Sequence, residues 1–176
     1  MAGQTPGPAA GQDGADAVDE LVDAWKRERA DLDLAPVEVF SRISRLARLL
    51  DLARREAFTA QEIEPYEFDV LAALRRAGTP YRLSPGQLLR ETMVTSGTMT
   101  NRIDRLSERG LVERFPDPHD RRGVLVGLTT SGKRTVDAAF ENLIAREREL
   151  LTELSAAERR ELAALLKRLM RSVRAG

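Results

Sequence analysis

The sequence contains no cysteine and only one histidine, His119, among its 176 residues. Without cysteine the chain cannot form a disulfide scaffold, a thiol redox switch or a cysteine-ligated metal site. A zinc site built from several histidines is not expected either, because a single imidazole cannot supply it. We therefore expect neither a metal nor a cofactor, and any partner must be recognised by other side chains.

Long apolar runs are also absent. No stretch of the sequence approaches the about 20 residues that a membrane-spanning helix requires. No charged-then-apolar secretory leader precedes the first amphipathic segment, so we expect a cytoplasmic location.

The chain has no excess of either charge, because 28 Lys and Arg residues balance 28 Asp and Glu residues. A general basic field, which attracts nucleic acid regardless of sequence, is therefore lacking. The charges are unevenly distributed, however. Residues 13–33 hold eight acidic and three basic residues, whereas residues 84–134 hold nine basic and six acidic residues. We expect any contact with nucleic acid to lie within residues 84–134.

The patterns typical of catalysis are missing as well. The tripeptide SGK at residues 131–133 lacks the upstream glycine of a phosphate-binding loop. The only histidine lies in a polar turn, so no Ser–His pair is indicated. We predict that the protein is not an enzyme, and we assign no catalytic residue.

Helical periodicity dominates the first half of the chain, after a Gly-, Ala-, Pro- and Gln-rich segment (residues 1–16) that we expect to be a disordered tail. A first helix is predicted from Val18 to about Ala30. It ends before Pro36, because a proline disfavours helix at the preceding residue. A long amphipathic helix follows over residues 36–57. Another begins at Pro65 and ends near Gly78.

Capping residues mark the remaining helices. Ser84 and Gln87 have the spacing of a capping box around Pro85. Thr130 or Ser131 is predicted to cap a helix that runs to about Leu151, and Ser155 caps the last one. The terminal helices carry leucine stripes among charged residues, which favours packing against each other or against a second copy of the chain.

The central segment has the pattern of a DNA-binding helix. Over residues 95–109, Met99, Ile103 and Leu106 recur at helical spacing and form a buried stripe. The other faces are polar, and short hydroxyl, amide and guanidinium groups suit contacts with base edges and phosphates. Alternatively, the Ser and Thr residues merely cap a surface helix. The candidate DNA-binding residues of this helix are Ser96, Thr98, Thr100, Asn101 and Arg105.

A valine-rich hairpin follows, with strands at residues 112–115 and 124–128. Its tip carries His119, Arg121 and Arg122, which are placed to contact the phosphate backbone or the minor groove. Alternatively, Asp117 and Asp120 pair with these arginines and rigidify the turn, and the two roles can coexist.

The run from Leu83 to Lys133 resembles the MarR (multiple antibiotic resistance regulator) family, through the wing GLVERFPDPHDRR and the helix start LTTSGK. The resemblance covers roughly residues 36–172. It implies a mainly α fold with a small β-hairpin wing, and a homodimer whose terminal helices form the interface. Two recognition helices would enter successive major grooves of a pseudo-palindromic DNA operator. His119 departs from the family pattern, in which many members have arginine, so Arg121 and Arg122 are the firmer wing contacts.

The added N-terminal helix resembles the urate-responsive subgroup of this family. That resemblance implies an effector pocket formed by Trp25, Asp69, Arg76 and Arg102. It further implies a repressor that a small anion releases from DNA, urate or a related carboxylate or phenolic compound. In the alternative interpretation, Trp25 packs in a dimer core, and Asp69 forms a structural pair with Arg76 or Arg102.

These interpretations divide the chain into four parts: the tail (1–16), helices for dimerisation and the effector pocket (17–64), a winged helix-turn-helix domain (65–130) and C-terminal dimerisation helices (131–176). A winged helix that serves protein assembly without recognising a DNA sequence is the competing function. The steep loss of DNA affinity with salt that phosphate contacts cause would distinguish the two.

Overall fold

The computed structural model describes residues 14–92, 96–120 and 122–174. Most of the predicted tail, residues 1–13, lies outside the described residues. The chain divides into two compact units, residues 1–50 and residues 51–176. In chain order the elements are α1 (Ala17–Glu28), α2 (Ala35–Phe58), α3 (Pro65–Arg76), β1 (Arg82–Leu83), α4 (Pro85–Thr92), α5 (Ser96–Glu108), β2 (Val112–Pro116), β3 (Val124–Leu128), α6 (Thr130–Leu150) and α7 (Ala156–Arg174). Across the described ranges, no helix has the length and apolar character needed to cross a membrane.

In the first unit, α1 is held against the start of α2 by a small core and an ion cluster. Val18, Val22 and Leu34 are buried together. The Asp16 carboxylate caps α1 by accepting a hydrogen bond of 2.7 Å from the Val18 N–H. Arg42 of α2 donates to that carboxylate at 2.8 Å. This hydrogen bond, together with the capping N–H groups, lowers the pKa of Asp16 to about 2, so the cap stays ionised into the acidic range.

The start of α2 corrects the predicted boundary. Ala35 belongs to the helix, although Pro36 follows it. The restriction that proline places on its predecessor is a preference, and here a cap opposes it: the Ala35 N–H donates to the Asp33 carboxylate at 3.0 Å. Pro36 itself lies in the first turn, where its missing N–H has no helical partner to lose.

In the second unit, α3 is the central helix. Its buried residues include Phe68, Leu71 and Leu74. Phe68 stacks on Phe58 at the end of α2, with ring centroids 4.4 Å apart. The same apolar cluster includes residues of α4, α5, β3 and α6. The helix begins at Pro65 as predicted, and it ends just before Gly78, whose positive φ of 75° suits glycine after a helix terminus.

The predicted caps are confirmed at two helices and wrong at one. Ser84 and Gln87 form the predicted capping box of α4, because the Ser84 N–H donates to the Gln87 side chain at 2.8 Å. Ser155 caps α7 through the Glu158 N–H at 3.3 Å. For α6 the cap is Thr129, one residue earlier than predicted; its hydroxyl oxygen accepts from the Gly132 N–H at 2.9 Å.

A three-stranded antiparallel sheet has the order β1-β3-β2. The predicted hairpin is confirmed, with Val112 opposite Leu128 and Pro116 opposite Val124. The short strand β1, which was not predicted, adds to the free edge of β3 and places Arg82 opposite Gly127. Above that glycine, the Arg82 guanidinium lies 3.5 Å from the centre of the Phe115 ring. Strand β1 and the Arg82–Phe115 contact thus stabilise the base of the hairpin.

The last helix leaves its apolar stripe uncovered. Among the described side chains of α7 none is buried. Four of its large apolar side chains are exposed, namely Leu162, Leu165, Leu166 and Met170. An uncovered stripe of this kind on a helix is typical of a surface that packs against another partner.

Candidate nucleic-acid interface

Helix α5 has one buried face and one polar face. Met99, Ile103 and Leu106 are buried in the core of the second unit, as predicted. The neighbouring positions Asn101 and Arg105 are exposed. Because the apolar stripe holds the helix against the core, its polar residues face away from the packed side. This arrangement offers a helix surface of the kind that enters a DNA groove.

Only some of the other predicted DNA-binding residues of α5 have described side chains. Thr98 and Thr100 are exposed. Ser96 begins α5, but its side chain lies outside the described residues, as does the turn at 93–95 that precedes it. A role for these residues in DNA binding remains a prediction.

Two ion pairs fix the position of α5 in the domain. Arg109, directly after the helix, donates to the buried Glu67 carboxylate of α3 at 2.7 Å. Asp104, within the helix, accepts from Arg114 of β2 at 2.5 Å. The first pair joins α5 to α3 and the second joins it to the wing. Helix α5 therefore has charged contacts with both α3 and the hairpin.

Tyr66, at the start of α3, contacts two arginines of α5. Its hydroxyl accepts a hydrogen bond of 2.9 Å from Arg105. Its ring faces the Arg102 guanidinium, whose central carbon lies 5.0 Å from the ring centre. The hydrogen bond raises the pKa of Arg105 above its usual range. Sequence reasoning missed Tyr66; its only local signal was an aromatic residue directly after the proline that starts α3.

The wing tip is a turn closed by two aspartates. The Asp117 carboxylate accepts from the His119 N–H, and the Asp120 carboxylate accepts from the Arg122 N–H, each at 2.9 Å. The aspartates thus stabilise the turn through backbone groups, and their predicted pairing with arginine side chains remains a prediction. His119 and Arg122 are exposed, and Arg121 lies outside the described residues.

The four residues predicted to form an effector pocket have separate surroundings. Asp69 pairs with Arg54 of α2 at 2.6 Å, a partner that the sequence did not indicate. Arg76 lies 3.4 Å from Glu91 of α4. Arg102 lies over Tyr66, as described above. Trp25 belongs to the first unit, where it is exposed. A common pocket for these residues remains a prediction.

A groove between α3 and α6 could hold a small molecule. Its volume is about 350 Å³. The walls are apolar apart from Arg76 and an ion pair, in which Arg75 donates to Asp137 at 2.7 Å. A mainly apolar cleft with a few charged groups is the usual form of a small-ligand site. The lining residues are Phe68, Ala72, Arg75, Arg76, Val136, Asp137 and Phe140. Among the described residues, no cluster of carboxylate or imidazole groups could hold a metal ion.

Comparison with known proteins identifies the family of the chain. Residues 61–123 match the sequence profile of the MarR family. The HTH-type transcriptional regulator PecS of Dickeya dadantii (strain 3937) is 38% identical over 151 residues, which cover 86% of this chain and 91% of PecS. The multiple antibiotic resistance protein MarR of Escherichia coli (strain K12) is 32% identical over 142 residues, 76% of this chain and 96% of MarR.

Solved structures show the same fold. A crystal structure of a mutant MarR from E. coli in complex with operator DNA matches with a TM-score of 0.65 and 29% identity, over 88% of this chain and 99% of that one. BpsR of Bordetella bronchiseptica, whose DNA binding is regulated by 6-hydroxynicotinic acid, matches with a TM-score of 0.65 and 26% identity, over 75% of this chain and 92% of that one. PecS is named as a transcriptional regulator and not as an enzyme. Taken together with the α5 and wing geometry, these matches show that the chain belongs to the MarR family of winged helix-turn-helix regulators.

Proposed function

We propose that this chain is a homodimeric repressor that binds a pseudo-palindromic DNA operator and releases it when a small anion binds. The main support for this proposal comes from helix α5. Its apolar stripe is buried, whereas Asn101 and Arg105 are exposed. Arginine is well shaped for bidentate contact with guanine, and asparagine for contact with adenine. The exposed wing tip supplies further donors for the phosphate backbone.

The uncovered stripe of α7 supports the dimer. Leucine and methionine side chains exposed in one copy can be buried against the same helix of a second copy, because a twofold interface is self-complementary. A dimer would present two copies of α5 to DNA, which explains why a chain without net charge can still bind its operator. Binding would then depend on a small number of specific contacts with DNA and not on a general electrostatic attraction.

Operator binding is tested with DNA from the region upstream of the protein's own coding sequence, in a gel-shift assay at increasing salt. We expect the logarithm of the affinity to fall linearly with the logarithm of the salt concentration, because arginines displace counterions from phosphates. Arg105→Ala is expected to reduce the ratio of operator to scrambled-DNA affinity about tenfold, since it removes a base contact.

The matched control is Arg122→Ala at the wing tip. It should weaken binding to operator and scrambled DNA by equal factors and make the salt dependence shallower, because a phosphate contact carries no sequence information. If the unmodified protein binds no DNA at low salt, protein assembly becomes the better interpretation of the fold.

For the effector, the groove between α3 and α6 is the favoured place, with Arg76 as the group that attracts the anion. Arginine binds carboxylates through a planar fork, and the apolar walls suit an aromatic ring. The compound named for the Bordetella regulator is itself a small aromatic acid. Urate remains the first candidate, and the roles of Trp25, Asp69 and Arg102 in binding it remain predictions.

Adding urate to the protein–operator complex is expected to release DNA, and Arg76→Ala should raise the urate concentration needed about tenfold, because a charge-assisted contact is lost. Release is measured by fluorescence anisotropy of labelled operator. Arg55→Ala, which removes an exposed arginine of α2 outside the groove, is the control and should leave the response unchanged. The effector proposal fails if DNA binding is insensitive to a panel of purines, tricarboxylates and phenolic acids.

A further inference from the structure

One aromatic side chain restrains two charged groups of the DNA-facing helix. Arg102 and Arg105 lie three residues apart on α5, so they are neighbours on one helix surface. Tyr66 contacts both: its hydroxyl binds the Arg105 guanidinium at 2.9 Å, and its ring faces Arg102 at 5.0 Å. Together with Thr98 and Asn101, these three residues line a cleft of about 240 Å³.

An unrestrained arginine samples many side-chain conformations, and ordering it at an interface reduces affinity. A group that already holds the guanidinium removes part of that entropic loss before binding. Tyr66 is suited to this role because its backbone is held in a helix. It lies in the first turn of α3, next to Glu67, whose buried carboxylate ties α3 to the end of α5 through Arg109.

We propose that Tyr66 is a positioning residue that sets the conformation of Arg105 for sequence recognition, while its ring lies against Arg102. The proposal rests on the proposed function, in which α5 contacts base edges. Tyr66 does not need to touch DNA in this role. It acts through Arg105, and its effect must therefore disappear when Arg105 is removed.

The test is Tyr66→Phe, which retains the ring against Arg102 and removes only the hydroxyl that binds Arg105. We expect the ratio of operator to scrambled-DNA affinity to fall about three- to tenfold, which corresponds to the loss from one side chain that must be ordered on binding. Affinity for scrambled DNA and the melting temperature should stay unchanged. Tyr81→Phe is the matched control, because Tyr81 contacts Arg75 and Lys133 instead, and it should leave the ratio unaltered.

The decisive measurement repeats Tyr66→Phe in the Arg105→Ala background. If Tyr66 acts through Arg105, the second substitution causes no further loss of the ratio. An equal fall in both backgrounds, or no fall in either, overturns the positioning role while operator recognition stands. If the unmodified protein does not prefer operator to scrambled DNA, the proposed function itself fails, and the role of Tyr66 fails with it.

Discussion

Gly132→Ala is expected to lower the free energy of unfolding by about 3 kcal/mol, because a side chain at this position meets backbone that cannot easily yield. A Cβ atom on Gly132 would lie 1.9 Å from the carbonyl oxygen of Leu111. Leu111 directly precedes β2, and its carbonyl accepts the Thr129 N–H at 3.2 Å. Relieving the clash would therefore separate the start of α6 from the base of the wing. Urea unfolding followed by circular dichroism measures the loss.

Gly86→Ala is the matched control, since Gly86 also lies in the first turn of a helix. The nearest atoms to a Cβ there are the Ser84 hydroxyl at 3.9 Å and an Arg90 nitrogen at 4.0 Å, which are ordinary contacts. Alanine should stabilise this helix by up to about 1 kcal/mol, because it restricts the unfolded chain. Both variants are compared at one protein concentration, since the stability of the proposed dimer would depend on it. Equal stability of the two variants would contradict the role given to Gly132.

Local signals in the sequence predicted most of the elements correctly. A helix cap is formed by residues three positions apart, so Ser84 with Gln87 and Ser155 with Glu158 could be identified from spacing alone. The buried stripe of α5 was predictable for the same reason, because a helix repeats its faces every few residues. The hairpin could be placed because two valine-rich runs flank a polar turn.

The predictions from sequence failed where a contact with a residue far along the chain determines the local structure. Thr129 and Thr130 are equally suited to cap α6 by type. Thr129 is selected because its hydroxyl also donates to the Gly110 carbonyl at 2.8 Å, a contact that depends on the fold. Strand β1 has only two residues, and it exists because β3 offers a free edge. Neither contact leaves a periodic pattern in the sequence.

The candidate nucleic-acid interface could likewise be predicted from local spacing only in part. The polar face of α5 follows from helical spacing, but its stabilising partners lie on other elements. The partner of Asp69 is Arg54, 15 residues earlier on another helix. Tyr66 meets Arg105 across 39 residues. Such pairs are set by helix packing, so a sequence can suggest which side chains bind DNA without indicating what orients them.

Arg109→Ala is expected to reduce the free energy of unfolding by about 3 kcal/mol, because it leaves a buried carboxylate without its counter-charge. The Glu67 side chain is only 5% exposed, whereas that of Arg109 is 36% exposed. Arg109 also donates to the Glu62 carbonyl at 2.8 Å, so the substitution removes two contacts at the start of α3. After it, the Glu67 carboxylate retains the Glu64 N–H, at 2.9 Å, as a neutral donor. Equilibrium unfolding in urea measures the change.

Two comparisons separate the buried charge from the general effect of shortening an arginine. Arg114→Ala removes an arginine whose pair with Asp104 is 46% and 45% exposed, so the expected loss is below about 1 kcal/mol. Adding Glu67→Gln to Arg109→Ala should recover much of the stability, because a neutral amide is buried at lower cost than a carboxylate and still accepts the Glu64 N–H. If the double variant is no more stable than Arg109→Ala alone, the buried charge is not the cause. Arg109 would then stabilise the domain mainly through the packing of its side chain and its contact with Glu62.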